Sequence, residues 1–102
     1  MTKQIIPVPP ASVKSPRSHW TLIAVLEADK GGVALAIGSW DNDPALAIRW
    51  NGSPLNPIGN PQSRGLPTWF ILPTWTYEAV LSKLELTPAN HALVQTFLLK
   101  AK

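Results

Sequence analysis

The sequence predicts an α+β domain in which a small antiparallel sheet of about four strands carries two C-terminal helices on one face. Three observations indicate this class. Short apolar runs separated by turn-forming residues fill residues 20–50, a fourth run follows a long loop, and helical spacing of apolar residues begins only after Pro73. Strands followed by segregated helices are typical of an α+β domain, and 102 residues leave room for one domain.

Residues 1–18 are predicted to form a basic, proline-rich N-terminal arm, and residues 19–102 to form the single domain. The arm holds Lys3, Lys14 and Arg17 and no acidic residue, whereas residues 19–102 balance six basic residues with six acidic ones. Its four prolines favour an extended path in solvent, on phosphates or on an acidic protein surface. Because an extended arm buries little apolar area, we expect its removal to leave the domain's stability nearly unchanged.

The first three strands are predicted as a meander over residues 20–27, 33–40 and 45–50. The connections ADKGG and DNDP are rich in turn-forming residues. Across the second turn we expect Trp40 to pair with Ala45. That register places Ile37 opposite Ile48. The first hairpin stays open, because its connection allows registers that differ by one residue and that place Trp20 on opposite faces of the sheet.

Alternation along these strands gives the sheet one face of bulky side chains and one face of small side chains. The bulky face should form the core, and its members are Val33, Leu35, Ile37, Leu46, Ile48 and Trp50. The small face permits close approach, and its members are Ala34, Ala36, Gly38, Ala45 and Ala47. The helices are the simplest cover for the small face. A partner protein, a second copy of the chain or a stacked base are the alternatives.

The fourth strand is predicted over residues 67–72, PTWFIL, because a proline fits the start of a strand and another proline ends the run. The first helix follows in TWTYEAVLSKL, with Thr74 or Thr76 as its cap. The second helix has a stronger start signal, since Thr87 as cap precedes Pro88 at the first helical position. Apolar side chains along one side of this helix are Leu93, Val94, Phe97, Leu98 and Ala101.

The loop over residues 51–66 is the strongest candidate for a binding surface. It is long for an ordered connection, and its prolines and asparagines favour a fixed path that presents side chains. Arg64 could grip a carboxylate or a phosphate through two parallel hydrogen bonds, or it could bond the loop's own carbonyls. The candidate binding residues are Arg49, Asn51, Asn60, Gln62, Ser63, Arg64, Trp40 and Trp69.

Patterns typical of an enzyme are weak in this chain. The absence of cysteine excludes disulfides, thiolate nucleophiles and cysteine zinc sites. His19 and His91 lack a second ligand at metal-binding spacing, and Asp41 and Asp43 fit ordinary turn chemistry. We therefore predict a protein that is not an enzyme, with no catalytic residue, no metal and no cofactor.

The prediction for function is a small interaction or regulatory protein that binds another protein or itself, as a possible homodimer. Its surface would combine the apolar sheet face with the loop, and its five tryptophans are natural anchors. The alternative is a nucleic-acid-binding module that uses the arm, Arg49, Arg64 and exposed tryptophans; the charge balance of residues 19–102 counts against it. Without the apolar run of a signal peptide or a membrane span, we expect a cytoplasmic protein with no membrane contact.

Overall fold

A computed structural model describes residues 7–101, and it confirms the α+β class. The arm's Lys3 lies outside the described residues. The strands are β1 (Trp20–Lys30), β2 (Val33–Trp40), β3 (Asp43–Trp50), β4 (Gln62–Ser63), β5 (Leu66–Pro67) and β6 (Phe70–Ile71). The helices are α1 (Tyr77–Leu81) and α2 (Pro88–Lys100). The main sheet has the order β1-β2-β3-β6, with each pair antiparallel, and β4 and β5 form a separate small hairpin.

The second hairpin turns in two residues, so the predicted pairing of Trp40 with Ala45 is wrong by two positions. Trp40 instead lies opposite Asp43, and β3 begins directly after the turn. Asp41 and Asn42 adopt left-handed φ angles of 49° and 72°, as a two-residue hairpin turn whose twist matches the strands requires. Aspartate and asparagine tolerate this conformation well. Because the shift is two residues, the bulky and small faces keep their predicted members.

The first hairpin adopts the register in which Trp20 lies opposite Trp40, on the small face. Its turn is formed by Gly31 and Gly32, both of which have positive φ angles. Register shifts interrupt β1 at three places, so this edge strand carries more residues than its partner β2. Bulges of this kind bend an edge strand and increase its twist.

The two helices pack on the bulky face, so the expectation that they cover the small face is wrong. Their side chains share one core with the strands, and its buried members are Leu26, Leu35, Ile37, Leu46, Tyr77, Leu81, Val94 and Phe97. The rings of Tyr77 and Phe97 lie 5.5 Å apart in a tilted arrangement. Bulky side chains on both layers interdigitate, which buries more apolar area than helices on a layer of alanines would.

The small face is covered by the N-terminal arm and by two tryptophans. Val13 is 0% exposed, and the indole Nε1 of Trp69 donates a hydrogen bond of 2.7 Å to the Val13 carbonyl. The rings of Trp20 and Trp69 lie 6.4 Å apart, in one buried cluster with Ala34, Ala36, Ala45 and Ala47. Alanine side chains leave room for these flat rings. The expectation that the arm buries little apolar area is therefore wrong, while a domain boundary at residue 18 stays a prediction.

The helix starts differ in how well the sequence specified them. The Thr87 hydroxyl accepts a hydrogen bond of 3.1 Å from the backbone N–H of Asn90, which confirms the predicted cap and the position of Pro88. Thr76 occupies the N-cap position of α1, but its hydroxyl donates a hydrogen bond of 2.7 Å to the Pro73 carbonyl. It therefore accepts no hydrogen bond from a backbone N–H of the helix. The α1 helix is correspondingly short, with one turn of 3-10 helix before it.

We expect Gly38→Ala to lower the free energy of unfolding by about 1–3 kcal/mol, the range for overpacking a filled core. A Cβ atom at this position would overlap the Thr21 carbonyl oxygen and stand 2.5 Å from Cη2 of Trp20. Urea denaturation measures the change, and Ser39→Ala, the next residue along β2, is the control. An unchanged midpoint for Gly38→Ala would mean that both the Thr21 carbonyl and the Trp20 ring move aside at no cost.

Candidate functional site

Arg49 holds the long loop in place from inside the protein. The side chain is only 2% exposed, and its two terminal nitrogens donate hydrogen bonds to the carbonyls of Ile58 and Thr68. Burial lowers the pKa of Arg49, because desolvation disfavours the charged form. Arg49 thus bonds a carbonyl of the loop, that of Ile58, which is the alternative role predicted for Arg64. Its side chain is enclosed in the fold and presents no charge to a partner.

Arg64 lies at the exposed tip of the β4–β5 hairpin. Arg64 and Gly65 form its two-residue turn with φ angles of 53° and 77°, so the side chain of Arg64 extends into solvent. Ser63 is exposed beside it. These residues are accessible, and neither of them lines the pocket beside Trp50 that is described below.

The other candidate residues on the loop maintain its shape. The side-chain amide of Asn51 donates a hydrogen bond of 2.7 Å to the Ala28 carbonyl, which ties the loop to β1. The Gln62 amide donates a hydrogen bond of 2.7 Å to the Gly59 carbonyl and one of 3.0 Å to the side-chain oxygen of Asn56. The loop's fixed path therefore comes from side-chain contacts as well as from its prolines.

Neither of the two candidate tryptophans presents an open indole face. Trp69 is 6% exposed and belongs to the cluster on the small face, so we do not include it in the binding surface. Trp40 is half-buried, and the ring of His19 stacks on it with centroids 5.3 Å apart. Neither ring is positioned as an open anchor.

An apolar pocket of about 380 Å³ opens at the end of the bulky face that the helices leave uncovered. Strand pairing places Val33 opposite Trp50 and Phe70 opposite Ile48. Because Ile48 and Trp50 are two residues apart on β3, all four side chains project from the same face. Trp50 is 59% exposed and Phe70 57% exposed. Two large aromatic side chains thus flank one pocket and remain accessible.

Asn60 brings the long loop to the rim of this pocket. Its backbone pairs with Trp50 in both directions, with N–O distances of 2.7 and 3.0 Å, and its exposed side chain provides an amide beside the apolar lining. Pro61 completes the rim. Of the candidate residues, Arg49 and Asn60 therefore meet at one pocket, the former enclosed and the latter accessible.

Trp69 was predicted as a binding residue from the sequence, whereas Phe70 was not. Adjacent strand residues project to opposite faces, so when Trp69 is buried on the small face, Phe70 must project from the bulky face. Trp50 was placed in the core, but it lies beyond the reach of the helices. The alternation of faces along TWFI would have identified Phe70 as exposed if it had been known which elements pack on each face of the sheet.

His19 and Asp41 form a close pair that spacing along the sequence did not reveal. The Nδ1 atom of His19 lies 2.6 Å from Oδ1 of Asp41, because the pairing of Trp20 with Trp40 places their neighbours opposite each other. Both side chains are exposed. Within residues 7–101 no group of three or more histidine or acidic residues is placed to hold a metal ion, and neither helix is long and apolar enough to cross a membrane.

Comparisons with known proteins add no relative from which a role could be inferred. No family model matches the chain, and neither a search of curated proteins nor a search of solved structures finds a match.

Proposed function

We propose that this chain is a non-enzymatic binding protein that docks on a partner protein through the pocket between Trp50 and Phe70. The observation that carries the proposal is the exposure of both aromatic side chains around a single apolar pocket. Large aromatic residues dominate the energetics of protein interfaces, and a pocket beside them accepts an anchor from the partner.

The chemistry of the pocket favours an apolar or aromatic side chain of the partner as its occupant. Its lining is almost entirely carbon, from Val33, Ile48, Trp50, Pro61 and Phe70. Asn60 at the rim can exchange hydrogen bonds with the backbone of the incoming segment. Burial of both rings on docking would remove a large apolar area from water, at roughly 25 cal/mol per Å².

The small face is filled by the chain's own arm, so a partner or a second copy would meet the uncovered end of the bulky face. The nucleic-acid alternative loses one of its named cations, since Arg49 is buried, and Trp69 offers no face to a base. Arg64 and the arm's Lys14 and Arg17 remain exposed, but the balanced charge of residues 19–102 supplies little of the net positive charge that phosphate binding needs.

Site-specific photocrosslinking tests the proposal. A benzophenone amino acid at position 60, on the rim, should give discrete protein adducts in lysate of the native host, and these should persist after nuclease treatment. Trp50→Gln should abolish them, because it removes one of the two aromatic walls. Trp75→Gln is the matched control, since Trp75 is also exposed but lies away from this pocket, on the turn before α1.

The outcomes separate the hypotheses. Adducts that disappear after nuclease treatment would support a nucleic-acid complex and contradict the proposal. Adducts that survive equally in both glutamine variants would mean that the pocket is not the docking surface. An adduct at twice the mass of the chain would identify the partner as a second copy.

A further inference from the structure

A second groove lies between α2 and the hairpin of β2 and β3. It encloses about 340 Å³ and shares no lining residue with the pocket beside Trp50. Buried Ile37 and Phe97 line its base, and Ile23 and Leu93 line it with large parts of their side chains exposed. This volume falls within the roughly 300–1,000 Å³ of typical small-molecule sites, near the lower limit.

The groove's polar side chains come from three places. Lys100 and Thr96 line it from α2, Ser39 lines it from β2, and Asn42 lines it from the hairpin turn. Lys100 is the only charged lining residue, and no salt bridge to an acidic side chain involves it within residues 7–101. Asp41 and Asp43 flank Asn42 in the chain, but neither lines the groove, and Asp41 faces His19.

The shape of the groove follows from α2 and the hairpin turn. Leu93, Phe97 and Lys100 are three or four residues apart, so they share one side of α2. Asn42 is held in a left-handed conformation by the two-residue turn, which sets its direction. The groove therefore combines an apolar base and apolar walls with one cation, one amide and two hydroxyl groups. These features match a molecule with a hydrocarbon part and one anionic group.

We propose that this groove binds a small amphipathic carboxylate, with its hydrocarbon chain between Ile23 and Leu93 and its carboxylate on Lys100. The site is independent of the proposed docking surface, so either can fail without the other. A small molecule fits better than a peptide because the groove has the volume of a single small ligand.

Decanoate is the probe for this site, used below the concentration at which it forms micelles. Titration followed by methyl NMR should give saturable shifts of the Ile23 and Leu93 methyl groups. Lys100→Gln should weaken decanoate binding about tenfold, as expected for loss of one charge-assisted hydrogen bond. The same variant should bind decanol as the wild type does, because the apolar lining is unchanged. Lys83→Gln, a surface lysine outside the groove, should bind decanoate normally.

Three results would overturn the proposal. The first is an absence of saturable methyl shifts in the wild-type protein. The second is an equal loss of affinity in Lys100→Gln and Lys83→Gln, which would indicate nonspecific attraction to positive charge. The third is tighter binding of an acetylated tetrapeptide with a C-terminal leucine than of decanoate, which would make the occupant the C-terminus of a protein.

Discussion

Deletion of residues 1–16 should lower the melting temperature by more than about 10 °C. It removes the fully buried Val13 side chain, whose burial is worth roughly 1.5–3 kcal/mol, and leaves the Trp69 indole N–H without its acceptor, at a further cost of about 1–3 kcal/mol. Each kcal/mol corresponds to about 4–8 °C in a domain of this size. Thermal unfolding followed by circular dichroism measures the change.

A point variant isolates the buried contact from the rest of the arm. Val13→Ala should cost about 1.5–3 kcal/mol, from lost apolar burial and the cavity left behind, while the adjacent exposed variant Lys14→Ala should stay within about 0.5 kcal/mol of the wild type. If the deletion melts at the wild-type temperature, the arm does not seal the small face in solution.

Replacement of Arg49 by methionine should lower the free energy of unfolding by roughly 2–6 kcal/mol. Methionine fills similar space, but it leaves the partly buried carbonyls of Ile58 and Thr68 without their donor, and each such acceptor left unpaired costs about 1–3 kcal/mol. Urea denaturation measures the loss. Arg49→Lys should restore only part of the stability, because a lysine ammonium does not reproduce the two-pronged geometry of a guanidinium.

Arg64→Met is the matched control, because the same substitution at the exposed hairpin tip should change stability by less than about 0.5 kcal/mol. Equal stability of the two methionine variants would contradict the role assigned to Arg49. A loss confined to Arg49→Met would show that the loop depends on a buried cation for its conformation.

The elements that could be predicted from the sequence are those marked by turn-forming or helix-capping residues close by in the chain. The glycine pair at 31–32, the Asp-Asn turn and the Thr87-Pro88 start each act within a few residues, and each marks a real boundary. The register error arose because Pro44 was assigned to the turn. Proline is tolerated within β3, where it lies opposite Ser39.

The cover of each sheet face depends on distant parts of the chain, and no local pattern encodes it. Both faces are apolar, so alternation cannot distinguish the side that receives helices from the side that receives the arm. The same difficulty applies to the site. Trp50, Trp69 and Phe70 have similar sequence surroundings, and only the extent of the helices and the path of the arm determine which of them reach solvent.

The arm on the small face and the helices on the bulky face affect the order in which the polypeptide folds. Val13 meets Trp69 across 56 positions of sequence, and the core of the bulky face is covered by α1 and α2. During synthesis, the meander of β1 to β3 is therefore complete before either face can be sealed. Contacts between distant residues form slowly, and exposed apolar strands favour association with other chains in the interval. We therefore expect chains that lack α2 to associate with one another more readily than the whole chain does.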